Sequence, residues 1–267
     1  TKSMTDSIAP RLALAKELAQ EAGQLAQRMR AQQDGSFSRE KGHQDFVTEA
    51  DVAVETLIRQ RIAAAFADDG LLGEEEGHSG SGNALWVVDP IDGTTNYMRG
   101  LADWGVSIAF CRDGRVELGV IYAPDLDLLV WARREQGAYI GENPARTAEG
   151  TPLDQAVLLL GRSARTSVDD YLSLLKRLIE SGLEYRRNGS AAISLAAVAL
   201  GQVDGFYEAH LNAWDATAGL LIVEEAGGRS DCGDLDAFLS GGGPVFASAA
   251  GLHHEIGALL SVGAEAD

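Results

Sequence analysis

Trp86-Val87-Val88-Asp89-Pro90-Ile91-Asp92-Gly93-Thr94-Thr95-Asn96 is the stretch on which the reading of this chain turns. Leu85 to Val88 is a short apolar run of the kind found in buried strands, and it delivers Asp89 to the strand's end. Pro90 has no N–H to offer a ladder, so the strand is expected to stop there. Ile91 and Asp92 then fall in a tight turn that lets both carboxylates converge on one point. Gly93 allows the backbone to come close to a ligand, and Thr94 and Thr95 supply N–H and hydroxyl donors. Carboxylates beside backbone donors suit a hard divalent cation that holds a phosphate.

On either side of this motif the patterning is regular. Apolar residues at Ile8, Leu12, Ala15, Leu18, Ala22, Leu25 and Met29 recur at spacings of three and four, which predicts one helix over Asp6 to Gln33. Ser36 to Phe46 is polar and interrupted by glycine, as a short hairpin or loop would be. A second helix is expected from Thr48 to Phe66, with Thr48 and Asp51 spaced as in a capping box. Strands are predicted at Leu71 to Gly73, Leu85 to Asp89, Gly105 to Cys111, Arg115 to Ala123, Leu128 to Arg133 and Gly137 to Ile140. Asp113-Gly114 and Pro124-Asp125 mark turns between them. Beyond Thr151 the pattern alternates: strands at Ala156 to Leu160, Leu183 to Arg186 and Val245 to Ala247, helices at Ser167 to Ser181, Ala191 to Leu200, Ala216 to Ala226 and Leu252 to Val262. Two subdomains follow, about 6–150 with helices on a largely antiparallel sheet, and 151–262 of α/β type. No Pro/Ser-rich linker divides them, so one enzyme unit is expected.

The 267 residues are 45% apolar, enough for a large core. With 22 basic and 40 acidic residues the net charge is −18, the opposite of a nucleic-acid binder's footprint. Cys111 and Cys232 suit a reducing compartment as idle thiols. No run of about 18 apolar residues marks a membrane span. The N-terminal stretch has no signal-peptide core and Met4 reads as the native start, so the expectation is a cytoplasmic protein with no membrane and no direct nucleic-acid partner.

Further carboxylates accompany the central pair. Glu74, first of the run Glu74-Glu75-Glu76, stands at the end of a short strand and can complete a metal shell begun by Asp89. Asp215, in Trp214-Asp215-Ala216-Thr217-Ala218, sits at or near a helix N-cap and can share a cation with Asp89 and Asp92. Asp45 precedes the second helix with no capping task and can orient a water or a hydroxyl. Gly189-Ser190-Ala191-Ala192 reads as a helix entry whose N–H groups suit an anion or hydroxyl. His210 and Asn212 can face a substrate. The five histidines lack zinc spacing, and no nucleophile elbow, P-loop or dinucleotide fingerprint is present. Crowded carboxylates with no His or Cys call for all-oxygen coordination: Mg²⁺, with Mn²⁺ as the alternative. Shared ligands imply two ions roughly 3.5–4 Å apart, as in metal-assisted phosphate-ester hydrolysis.

Gly73-Glu74-Glu75, the Asp89–Asn96 run and Trp214-Asp215-Ala216-Thr217-Ala218-Gly219, in this order and separation, resemble the inositol monophosphatase family. The likeness continues through Asp45 to Asp51, Gly137-Ala138-Tyr139, Gly189 to Ala192 and Glu225-Ala226-Gly227-Gly228, and covers residues 10 to 262. It implies that residues 1–267 form a single catalytic unit of α/β layered class, a five-layer αβαβα sandwich shared with fructose-1,6-bisphosphatase. It also implies a Mg²⁺-dependent, lithium-sensitive homodimer using two or three ions. Glu74, Asp89 and the Ile91 carbonyl would hold the first ion, and Asp89, Asp92 and Asp215 the second. Thr94, hydrogen-bonded to Asp45, would activate the attacking water together with Glu74. The N–H groups of Gly93 and Thr94 would receive phosphate, while Asp92, Ser190, Ala191 and Glu208 would meet the alcohol. The substrate expected is inositol 1-phosphate or a related polyol or sugar phosphate. Histidinol phosphate is the alternative within the family, and a regulatory, protein-binding role the alternative outside catalysis.

Overall fold

A computed structural model of the chain describes residues 7–32, 38–40 and 46–261. In order they form α1 (Ile8–Ala31), β1 (Ser38–Glu40), β2 (Phe46–Thr48), α2 (Glu49–Ala65), β3 (Gly70–Gly73), β4 (Gly77–Ser79), β5 (Ala84–Asp92), α3 (Thr94–Arg99), β6 (Gly105–Arg112), β7 (Arg115–Ala123), β8 (Leu128–Arg133), β9 (Ala138–Ile140) and β10 (Asn143–Pro144). The second half adds β11 (Val157–Leu160), α4 (Val168–Glu180), β12 (Glu184–Arg186), α5 (Ala191–Ala199), β13 (Gly205–Leu211), α6 (Ala213–Glu225), β14 (Arg229–Asp231), α7 (Leu235–Gly241), β15 (Gly243–Ser248) and α8 (His253–Ser261). No helix among the described residues is long and apolar enough to cross a membrane.

The larger sheet runs β10-β9-β8-β7-β6-β5-β3-β4 and the smaller β12-β11-β13-β15-β14. β3 is parallel to β5, and β11 is parallel to both β12 and β13; the other pairings within these two sheets are antiparallel. Alternation along the strands sorts side chains into layers. Trp86 and Val88 pack with α1 and α2, whereas Val87 points to the other face and joins α5 and α6. In β11, Leu159 faces α5 and α6, and Leu158 and Leu160 face α4 and α8. The order is therefore helices, eight-stranded sheet, helices, five-stranded sheet, helices: the expected five-layer αβαβα sandwich.

The middle layer explains why α5 and α6 read as almost wholly apolar. A helix between two sheets has no solvated face, and Ala191 to Ala199 is buried on nearly every side. Contact there is close. A Cβ on Gly119 of β7 would lie 2.5 Å from the Ala218 carbonyl oxygen of α6, and one on Gly219 would lie 2.5 Å from Leu195 of α5. Cys111 is buried and Cys232 half-buried, both as free thiols.

Most element boundaries differ from the sequence expectation by one or two residues, and two differ at the candidate site. β5 does not stop at Pro90: the ladder to β6 continues to Asp92, opposite Gly105, across a register shift between Asp89 and Asp92. Pro90 is accommodated inside that irregularity, where a missing N–H breaks no regular pair. α6 begins at Ala213, not Ala216, because Asn212 is its N-cap. β1 and β2 pair as a hairpin (Ser38 with Thr48, Glu40 with Phe46), although its turn lies outside the described residues. β4, α3, β10, β13, β14 and α7 occupy stretches for which the sequence predicts no element.

Candidate metal centre

The bulge in β5 turns both aspartates toward the middle layer. Asp89, 1% exposed, accepts the Ile91 N–H at 3.1 Å. Asp92 is also buried, and its Oδ2 accepts the Ala192 N–H at 2.7 Å and the Ser190 hydroxyl. Ser190 is the N-cap of α5 and accepts the Ile193 N–H at 3.1 Å, so one hydroxyl both starts the helix and holds the aspartate. Asp215 is the third residue of α6, and its Oδ2 accepts the Asn212 N–H at 2.8 Å, the carboxylate half of a capping box. These three elements bring carboxylate oxygens of Asp89, Asp92 and Asp215 within 4.8 Å of one another.

Glu74 follows β3 in the turn to β4. β3 pairs in parallel with β5, Gly73 beside Val88, so Glu74 comes up next to Asp89. It stands outside the 4.8 Å trio, but its charge reaches Asp89. Burial first, then the charges of Glu74, Asp92, Asp215 and Asp51, push the Asp89 carboxyl well above the usual carboxylate range. Burial raises Asp92 to about 6 against the opposing hydrogen bonds from Ser190 and Ala192. Such crowding strongly favours a bound cation, and an all-oxygen set fits a hard one.

Gly93 precedes α3 at φ +85°, a conformation that L side chains rarely adopt. Thr94 opens that helix, and its hydroxyl donates to the Ile91 carbonyl at 3.0 Å. The Asn96 amide donates to the carbonyls of Asp103 and Asn188, both at 2.7 Å, tying this turn to the start of α5. Asp45 and its expected bond to Thr94 lie outside the described residues.

Across the middle layer, Ala191 is the first residue of α5 and Glu208 projects from β13. Burial foremost, with the charges of Asp215 and Asp92, raises Glu208 to about 8, opposed by Arg187. Gly161 makes its room, since a Cβ there would lie 1.9 Å from Glu208 Oε2. A register shift between Glu208 and Leu211 displaces Ala209 and His210 from regular pairing. Burial and nearby Arg165 lower the His210 pKa, so its ring is neutral at physiological pH.

Three buried side chains near the site carry no clear signal in the sequence. Asp51 appeared as a cap, yet it is buried and its charge reaches Asp89. Asn96 was quoted only as the end of the motif. Glu55, fully buried on α2, gave no signal beyond being one more acidic residue on a helix.

Comparison with known proteins gives a consistent result. A family model described as the inositol monophosphatase family matches residues 7–259. The Nus factor SuhB of Salmonella typhimurium strain LT2 is 38% identical over 223 residues, 82% of this chain and 84% of that protein. The inositol-1-monophosphatase of Caulobacter vibrioides is 35% identical over 223 residues, 81% of this chain and 87% of that protein. The crystal structure of extragenic suppressor protein suhB from Bartonella henselae superposes with a TM-score of 0.88 at 31% identity, covering 95% of this chain and 99% of that one.

Proposed function

The chain belongs to the inositol monophosphatase family, and from that premise we propose that it is a Mg²⁺-dependent phosphatase of inositol 1-phosphate or a related polyol or sugar monophosphate. The observation that carries this reading is the convergence of Asp89, Asp92 and Asp215 within 4.8 Å, with Asp89 raised by burial and by its acidic neighbours. Glu74, Asp89, the Ile91 carbonyl, Asp92 and Asp215 would hold two or three Mg²⁺, with Mn²⁺ as a substitute. When bound, such cations neutralise the developing charge on phosphate and favour hydroxide over water.

The chain's own groups supply the rest. Gly93 and Thr94 would offer backbone N–H groups to the phosphate. The Thr94 hydroxyl donates its hydrogen bond to the Ile91 carbonyl, so its oxygen is left as an acceptor toward the attacking water. Glu74 would receive one proton of that water as the water oxygen bonds to phosphorus and the ester P–O bond breaks, the departing oxygen taking a proton from a second water to leave as the alcohol. Asp92, held by Ser190 and Ala192, would orient the alcohol together with Ala191 and Glu208. Ser190 would contribute by holding Asp92 as well as by contacting substrate directly.

A Mg²⁺ titration against inositol 1-phosphate, sugar phosphates, histidinol phosphate and 2′-AMP tests the reading. Release of phosphate should need the cation, and inositol 1-phosphate should lead in kcat/KM. Preference for histidinol phosphate would move the assignment within the family. Turnover that persists undiminished in chelator would sink it.

The name Nus factor on relatives 37–38% identical favours a second reading, a protein-binding role on the same scaffold. Capture of a defined protein partner that is equal for the wild type and Asp89→Asn would support it alongside catalysis. A homodimer is part of the proposal and is checked by sedimentation.

A further inference from the structure

Glu55 is completely buried, although a lone carboxylate there would cost several kcal/mol. It is not alone. Its Oε2 accepts the Glu75 N–H at 2.7 Å, and its Oε1 accepts the Glu76 N–H at 3.0 Å. Arg59, one helical turn on, pairs with it at 2.7 Å, then donates to the Gly77 carbonyl at 2.6 Å and the Ser79 hydroxyl at 3.0 Å. The pair therefore grips the backbone from Glu75 to Gly77 and the side chain of Ser79, in the turn and strand that follow Glu74. Gly73, on the other side of Glu74, completes the grip: a Cβ there would lie 2.4 Å from Glu55 Oε1.

A buried ion pair is a poor way to gain stability, because apolar side chains of similar volume often do as well or better. What this pair supplies is direction. It takes up N–H groups on one side of Glu74 and fills the space left by the missing side chain on the other. β3 and β5 are in register as far as Gly73 and Val88, so Glu74 follows beside Asp89, and its charge reaches that carboxyl.

We infer that Glu55, with Arg59, is a positioning residue for Glu74: it fixes the 74–76 turn against α2 and so sets the affinity of the carboxylate cluster for a divalent cation. The inference rests on the metal-site reading of the preceding section. Groups behind metal ligands are typically worth ten- to a hundredfold in metal affinity when removed.

Mn²⁺ binding, followed by electron paramagnetic resonance and calorimetry, tests it without requiring turnover. Four proteins are compared: the wild type, Glu55→Gln, Glu74→Gln and the double variant. Glu55→Gln should weaken Mn²⁺ binding about ten- to a hundredfold, while KM for substrate at saturating metal changes less than twofold. In the Glu74→Gln background the same change should have little further effect, because both act through one carboxylate. Unchanged Mn²⁺ affinity in Glu55→Gln, or the same loss in both backgrounds, would overturn the inference. Should Glu55→Gln fail to fold, Arg59→Lys enters the same cycle. It keeps a cation beside Glu55 but loses the planar fork that also reaches Gly77 and Ser79, and a several-fold loss confined to the Glu74 background is expected. A wild type that binds no Mn²⁺ would overturn the metal-site reading itself, and this inference with it.

Discussion

In the proposed reading, Asp89 and Glu208 would divide the chemistry between them at the level of single residues. Asp89 sits where the charges of four other carboxylates converge, so its own charge is tolerable only beside a cation. Asp89→Asn removes a ligand while keeping the shape, and kcat/KM should fall by more than the roughly hundredfold expected of an outer partner. Steady-state assays at several Mg²⁺ concentrations check this; a loss fully rescued by excess Mg²⁺ would make Asp89 a contributor to affinity alone. Glu208 is proposed to choose the alcohol, and Gly161 gives a way to displace it. Gly161 is not at positive φ, so Ala is compatible with the backbone, but its Cβ would occupy the position of Glu208 Oε2. Gly161→Ala should raise KM for inositol 1-phosphate about tenfold and leave a simple aryl phosphate nearly unaffected. Equal effects on both substrates would remove Glu208 from the specificity role.

Among the elements, α5 couples folding to the site most directly. Ser190 caps it and holds Asp92 with the same hydroxyl. Ser190→Ala should cost about 1 kcal/mol through the lost cap, and Asp92, deprived of a donor that lowers its pKa, should titrate still higher. Denaturant melts and the pH dependence of Mn²⁺ binding read the two effects separately; a stability loss with no change in metal binding would reduce Ser190 to a cap. The elements also mark how far the sequence could be read. Regular apolar spacing revealed α1, α2 and α4, and β-branched runs revealed β5 to β8. β13 is unreadable because Glu208 and His210 interrupt the apolar pattern of Gly205 to Leu211; Glu208 lies within reach of the charges of Asp92 and Asp215, and His210 falls in the register shift that follows it. α3 hid behind Gly93, whose left-handed conformation reads as a turn. Asp215, expected at or near a cap, is the third helical residue, with Asn212 as the N-cap. Glu55 is illegible for a different reason: its i,i+4 pairing with Arg59 reads like any helix-surface pair, and its other partners are backbone N–H groups 20 and 21 residues away, which leave no mark on the local pattern.

On the scale of the whole molecule, the candidate centre is a junction. Asp89 and Asp92 come from the eight-stranded sheet, Asp215 and the donors to Asp92 from the middle helices, and Glu208 from the five-stranded sheet. A cation bound there should therefore stabilise the entire sandwich, and the raised carboxyl pKa values predict how that gain varies with pH. Asp92 moves from 3.8 to about 6 and Glu208 from 4.5 to about 8 on folding. The folded state thus holds protons that the unfolded chain has released, so these groups add stability at low pH. That contribution declines as pH rises from about 4 and is lost above about 6 for Asp92 and about 8 for Glu208. A divalent cation needs the ionised forms, so it binds more tightly over the range in which the protons leave. In chelator, the stability owed to these groups should fall between pH 5 and 8. In Mg²⁺ at about a hundred times its dissociation constant, the gain should approach about 2.7 kcal/mol at pH 8, or roughly 5–10 °C in Tm for a chain of this size, and shrink toward pH 5. Thermal melts with and without Mg²⁺ across that range measure the difference directly. An increment that stays constant with pH would place the cation away from these carboxylates, because only a site that competes with protons produces the slope.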